Sequence, residues 1–444
     1  MQGRIHARER AAVLQSLAAG VVPRLGIQHI QVGRKAEVEA LLGDIHRIEN
    51  GGASIRFIVG RFGAGKSFFL NLMQQVALER KFVVLRADFT TQRRLHATGG
   101  EGRALYQELM RNMSTRARPD GGALASVVER WIGEIEHDAQ GDPDETERRI
   151  VEVCRELQEF VSGFDFTAVL QAYYRGHHTG NADLQAAALR WLRGEYSTKT
   201  EARADLGVRG IIDDANYYDY LKLMASWLRS AGYAGLLVCL DELVVVSHRL
   251  NNRLARNNNY EAILRILNDC LQGTVSGLGF LFGATDECVY DTRRGLFSYE
   301  ALASRLAPNR FAKQGLVDLN SPVLPLQNLS PEDCYVLLLN VRRVHAGGEP
   351  EKSPLPEEAI EAYLQSCAQR MGAAYFQTPR ETIKDFVGLL NVLDQNPGAD
   401  WKALVGAIDT TVEDVQTQDP ALVAAPASAV AAGEEDDDLA SFQL

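Results

Sequence analysis

Long apolar runs are missing from this 444-residue chain. No stretch approaches the roughly 18 apolar residues that a membrane-spanning helix requires. The opening "MQGRIHARERAAVLQSLAAG" is charged and helix-patterned, and it lacks the apolar centre of a secretory signal. Cysteine is sparse: Cys154, Cys239, Cys270, Cys288, Cys334 and Cys367 are scattered, with no C-x-x-C pair. That excludes a disulfide-stapled scaffold and points to reduced core thiols and a cytoplasmic location. His177 and His178, in "RGHHTGN", are predicted to lie in a solvated loop rather than a zinc site. Positive charge is in deficit as well. A net charge of −11 argues against a chain that coats nucleic acid by charge alone, although local basic patches leave DNA contact open. Part of the excess is local, because "GEEDDD" (433–438) holds five of the carboxylates.

What the chain does have is "SIRFIVGRFGAGKSFFLNLM" (54–73). "IRFIV" reads as a buried strand and "KSFFLNLMQQVAL" as an amphipathic helix. Between them, Gly60, Gly63 and Gly65 allow a backbone whose N–H groups point inward, at the positive end of the helix. Gly60-x-x-x-x-Gly65-Lys66-Ser67 is the spacing of a phosphate-binding loop. In such a loop Phe62, Gly63, Ala64, Gly65 and Phe68 surround the phosphates of ATP. Lys66 would reach the β- and γ-phosphates, and the Ser67 hydroxyl would bind Mg²⁺.

A second apolar run, "GLLVCLDE", ends in Asp241 and Glu242. It describes a buried strand that delivers two carboxylates at its C-terminal edge, where ligands bind in parallel sheets. Asp241 would hold Mg²⁺ and Glu242 would orient or polarise the attacking water. A third run, "LGFLFGATDE", ends in Thr285, which suits either a sensor of the γ-phosphate or the N-cap of the next helix. "KFVVLRADF" (81–89) and "PVLPLQNL" (322–329) complete the strands. Strands alternating with helices imply an α/β fold with a parallel sheet covered on both faces. The expected divisions are a helical segment at 1–34, a P-loop ATPase core at 35–94 and 230–329, a helical insertion at 95–229, a helical domain at 330–412, and a disordered acidic tail at 413–444.

In order along the chain, "VGRKAEVEALL", "GRFGAGKS", "LLVCLDE", "FLFGATDE", "ALASRLAPNRF" and "QTPRETIKDF" resemble AAA+-like and STAND-like P-loop ATPases related to replication initiators. Within these the chain resembles the ATP-binding proteins of BREX-type bacteriophage-defence systems, from about residue 5 to 395 and including "LRWLRGEYSTKTEARADLGVRG" (189–210). The resemblance implies an AAA+-like fold whose C-terminal helices form a lid. It implies that Val32, Gly33 and Arg34 lie against the adenine, with Glu37 as the acidic member of that box. Arg305 matches an arginine finger that enters a neighbour's site, against the alternative of a surface salt bridge. Arg380 matches a lid arginine that senses the γ-phosphate. Many relatives carry Asn where this chain has Thr285.

Two functions stand at this point. One is an ATPase working by conformational change or assembly in a defence complex, with a homo-oligomer, other defence proteins and DNA as partners. The other is a nucleotide-dependent switch or scaffold with little turnover. "SHRLNNRLARNNNYEAILR" (247–265) is rich in arginine and suits either phosphate backbones or a solvated helix face. The aromatics of "QAYYRGHH" and "NYYDYLKLMASWLRS" fall at helical spacing and are expected in a core. The terminal "GEEDDDLASFQL" (433–444) is expected to be an extended docking peptide for a basic-rimmed apolar pocket.

Overall fold

The residues of "ASIRFIV" are all buried, and this lack of an exposed face requires cover on both sides. The segment is β1 (Ala53–Val59), and it lies inside a five-stranded sheet ordered β2-β3-β4-β1-β5. The neighbours are β2 (Val83–Asp88), β3 (Leu236–Asp241), β4 (Leu278–Ala284) and β5 (Val323–Pro325). Every pairing is parallel. The computed structural model describes residues 4–160, 163–312, 318–371 and 379–406. The expected tail at 413–444, its docking peptide included, lies outside the described residues.

Two helices cover one face of the sheet: α2 (Lys35–Glu49) and α3 (Lys66–Glu79). Ile45, Ile48, Phe69 and Met73 pack there against Ile58, Val84, Leu237 and Leu281. The alternate strand positions, such as Phe57, Leu85, Val238 and Phe282, face the opposite core. That core is built largely by helices between β2 and β3: α4 (Glu101–Arg111), α5 (Leu124–Asp138), α6 (Pro143–Val153), α7 (Gly163–Thr179), α8 (Ala182–Leu192), α9 (Lys199–Leu206) and α10 (Tyr217–Ser230). The period-2 alternation of the strands therefore divides a three-layer core. The aromatics expected in a core are there: Tyr173, Tyr174, Tyr217, Tyr218, Tyr220 and Trp227 are all buried. His177 and His178 differ from expectation in place. They occupy the last turn of α7, since the amphipathic pattern carries the helix through them, and both remain exposed.

After β3 come α11 (Arg253–Gln272), α12 (Asp286–Tyr290) and α13 (Glu300–Leu306). Beyond β5 lie α14 (Pro331–His345), α15 (Glu358–Met371), α16 (Pro379–Gln395) and α17 (Trp401–Gly406). Ser330 opens α14 with a reciprocal capping box to Asp333, followed by Pro331 at the first helical position. The first helix, α1 (Ala7–Ala18), shares the core of these late helices, where Val13 and Leu17 pack with Leu338, Phe386 and Leu390. No helix among the described residues is long and apolar enough to cross a membrane. All six cysteines are buried, and none forms a disulfide.

One buried ion pair fastens α2 to the sheet. Arg56 Nε meets Asp44 Oδ2 at 2.5 Å, and a second nitrogen meets Oδ1 at 3.1 Å. Arg56 also donates to the Ser321 carbonyl just before β5. Removing one partner leaves the other as an uncompensated buried charge. Asp44→Ala is therefore expected to lower stability in urea denaturation by about 3–5 kcal/mol, whereas the paired Asp44→Leu and Arg56→Met replacement should cost far less.

Candidate active site

The C-terminal edge of the sheet gathers the chemistry. Gly63 and Gly65 have φ of 79° and 86°, in the left-handed region where side chains are strained. They turn the backbone from β1 into α3, which starts at Lys66. The Lys66 ammonium folds back over the loop and donates to the carbonyls of Gly60 and Arg61 at 2.8 and 2.9 Å. Burial lowers its pKa below the ordinary lysine value, and the charge of Arg380 adds to this. Asp241, Glu242 and Asp286 oppose the shift.

Ser67 Oγ donates to Asp241 Oδ2 at 2.6 Å, joining the first turn of α3 to the tip of β3. The other Asp241 oxygen accepts the Glu242 N–H at 2.8 Å. Glu242 itself has φ of 59°, so the chain leaves the strand sharply at the second carboxylate. Loss of surrounding water raises the Glu242 carboxyl above its ordinary value, the charge of Asp241 raises it further, and Lys66 opposes both. β4 runs beside β3 at Gly283, where a Cβ would stand 2.1 Å from Asp241 Oδ1. Glycine there leaves room for the carboxylate.

An apolar-walled slot opens on one side of the loop. It draws Val32, Gly33 and Arg34 together with the loop residues Phe62 to Phe68, and Pro379 and Arg380 of α16 close it. Arg34 takes φ of 55° at the start of α2 and donates to the Ala64 carbonyl at 2.5 Å. Gly33 takes φ of 59°, and a Cβ there would press on the Asp333 carboxylate at 2.9 Å. Glu37 is buried in the first turn of α2, and its charge acts on Arg34. Ala64 is buried, Phe62 is 60% exposed, and Phe68 bridges the cores of the sheet and the late helices.

The other sequence-predicted residues fall as follows. Thr285 is 5% exposed, and its hydroxyl accepts the Cys288 N–H at 3.2 Å, capping α12. Arg305 lies outside the slot, exposed on α13, and is bonded to Asn268 at 2.8 Å rather than to a carboxylate. In the arginine-rich stretch, Arg256 is buried and donates to the carbonyls of Leu250 and Asn251. Arg265 pairs with Asp219 at 2.7 Å and lies over the Tyr218 ring. These two arginines fasten the fold rather than form an open basic patch.

One acidic residue at this edge was not singled out from the sequence. Asp88 ends β2 directly opposite Asp241. Burial and the charge of Asp241 raise its carboxyl above the ordinary value. Its signal was an apolar run ending in Asp, the same pattern that marked Asp241. Only the strand order makes the two neighbours.

The chain matches the family model described as "BREX system ATP-binding protein BrxC/D" over residues 5–409. It belongs to that family. Membership implies an ATP-binding role in a phage-defence system, and the matched span takes in the loop, the acidic strand, the insertion and α14 to α16. No curated protein matches the chain.

The close packing at β4 yields a prediction. Gly283→Ala should push the Asp241 carboxylate off Ser67 without filling the slot. Mg²⁺-dependent binding of a fluorescent ATP analogue is then expected to weaken by about 10- to 100-fold, as when a ligand's support is removed. An unchanged titration would dismiss the Ser67–Asp241 pair as a metal site.

Proposed function

We propose that the chain is an AAA+-like P-loop ATPase, with a helical lid, whose hydrolysis of ATP drives conformational change or assembly in a BREX defence complex. The observation that carries this reading is the junction of Ser67, Asp241 and Glu242 beside Lys66. The donor set suits the cofactors. Magnesium takes hard oxygen ligands, few of them from protein, and a hydroxyl and a carboxylate 2.6 Å apart fit that demand. The carbonyls that Lys66 now meets show the reach of its ammonium across the loop, where phosphate oxygens would accept instead. Bound Mg²⁺ would neutralise charge on the β- and γ-oxygens.

Within this reading, Glu242 accepts the proton of a water that attacks the γ-phosphorus, and the bond to the bridging oxygen of ADP breaks. Its raised pKa keeps it a stronger base than an ordinary carboxylate. Lys66 and Arg380 stabilise the charge on the transferred group. The apolar slot between Val32, Ile30 and Leu337 takes the adenine, with Gly33 and Arg34 at its edge. Arg305 is assigned to a neighbouring copy's site, so the working form is a homo-oligomer. DNA contact through residues 247–265 is weakened as a proposal by the internal bonds of Arg256 and Arg265.

The competing reading, a nucleotide-dependent switch with little turnover, draws support from Thr285, whose hydroxyl is engaged in capping α12. Site variants separate the two. Lys66→Ala is expected to lose nucleotide binding. Glu242→Gln should keep ATP binding and slow phosphate release by about 10²–10⁴-fold. Wild-type turnover in Glu242→Gln would remove the catalytic role of Glu242, and tight ATP binding with no turnover in the wild type would leave only the switch.

Self-association supplies an independent check. A non-hydrolysable ATP analogue is expected to convert monomer to a larger species in solution mass measurements, and Arg305→Ala should lower turnover of that species while sparing nucleotide affinity. A monomer under both conditions would remove the trans role of Arg305.

A further inference from the structure

Glu242 and Ser67 border a second cavity, on the side of the phosphate loop away from the apolar slot. This cleft of about 360 Å³ is floored by Arg86 and Asp88 of β2 and by Asp241, and Arg24 covers it from the segment after α1. Asn71 and Gln74 of α3 form one wall. The same four residues, Arg24, Asn71, Gln74 and Arg86, line the start of a groove of about 660 Å³ that continues past Arg116 to the surface.

Two arginines of this cleft lack fixed partners. Among the described residues, neither the Arg24 nor the Arg86 guanidinium has a hydrogen bond or an ion pair. They lie close enough that burial, and then the charge of Arg24, lowers Arg86 below its ordinary value. Asp88, Cys239 and Glu108 oppose this more weakly. Two of the cleft's four carboxylates, Glu108 and Asp241, are already committed, which leaves Asp88 and Glu242. Arg93 pairs with Glu108 at 3.1 Å, and Asp241 holds Ser67 and the Glu242 amide. A β-strand arginine half-buried beside a second arginine is costly unless an anion joins them. Two guanidinium forks flanked by side-chain amides match the oxygens of a phosphate group.

We infer that this cleft is a second anion site, which receives the inorganic phosphate released at the γ position and passes it to the groove. The source of the phosphate rests on the hydrolysis proposed above. The site itself does not, because it is built from residues of β2, α3 and the segment after α1. Position favours the product over other anions: the cleft and the slot share Val22, Ser67 and Glu242, and the γ-phosphate would end beside the last two. Phosphate leaving by this side need not pass ADP.

Equilibrium dialysis of the full chain against radiolabelled inorganic phosphate tests the site, without nucleotide and with ADP and Mg²⁺. The wild type is expected to hold one phosphate per chain in both states. Arg86→Gln should weaken that binding by about tenfold or more, the loss of a charge-assisted hydrogen bond, and Arg86→Lys should restore part of it. Fluorescent-ADP affinity, read in parallel, is expected to stay unchanged in Arg86→Gln, which also shows that the variant folds. Phosphate binding that is absent in the wild type, or equal in Arg86→Gln, overturns the inference. Displacement of phosphate by a single-stranded oligonucleotide overturns it too, by assigning the cleft to a nucleic-acid backbone. Failure of ADP to bind the wild type would instead strike the proposed ATPase function, with the nucleotide-free arm still deciding the anion site.

Discussion

The hydrogen bond from Ser67 to Asp241, 2.6 Å long, is the constraint on which the rest of the site depends. It joins two strands' worth of sequence that lie far apart along the chain, because the strand bearing the loop and the strand bearing the acids are not neighbours. β4 stands between them, and its Gly283 supplies the room that Asp241 needs. An ordinary side chain there would separate hydroxyl from carboxylate while leaving both strands intact. The helical insertion serves the same geometry indirectly. Its core presses on β2 and β3 from one face while α3 presses from the other, so the tip of β3 is held on both sides.

A second dependence runs through Phe68. It contacts the core of the sheet and also the core that α1 shares with α14 and α16. The slot lies along that seam, with Arg34 reaching over it to the Ala64 and Gln327 carbonyls. A ligand held there touches two apolar bodies at once. This is the usual setting for binding that couples to relative motion of parts. Under the proposed function, Arg380 belongs to one body and Lys66 to the other. Their like charges act on each other, and an anion between them turns that repulsion into two attractions.

Much of this was readable from residue order, because the signals were local. Three glycines, a lysine and a serine between an apolar strand and an apolar helix suit a phosphate loop and little else, and apolar runs ending in acids mark sheet edges. The division of strand residues between the two faces and the burial of the aromatics of α7 and α10 follow from period. What escaped was set by neighbours distant in sequence. Asp88 matters because β2 pairs with β3, and Arg86 because α3 and the residue-24 segment close over it. Arg256 reads as surface charge in its own stretch, yet it turns inward to two carbonyls. A cation's role depends on which oxygens lie within reach, and periodicity carries no information about that.

The charge balance of the chain gives these placements a common logic. A body with net negative charge repels phosphates at long range, so each phosphate-binding surface must be built locally and partly out of water, where a cation acts more strongly. Under the readings proposed above, Lys66 and Arg86 are both such cations: burial lowers each, and carboxylates oppose the shift, Asp241 and Glu242 at Lys66 and Asp88 at Arg86. The same acids that would position metal and water also moderate the grip of the cations on a doubly or triply charged ligand. Too little opposing charge would hold the products, and too much would exclude the substrate. Asp241 lines the cleft, and its charge acts on Lys66 and Glu242 of the slot, so under the proposed function one carboxylate bears on both sides of the reaction.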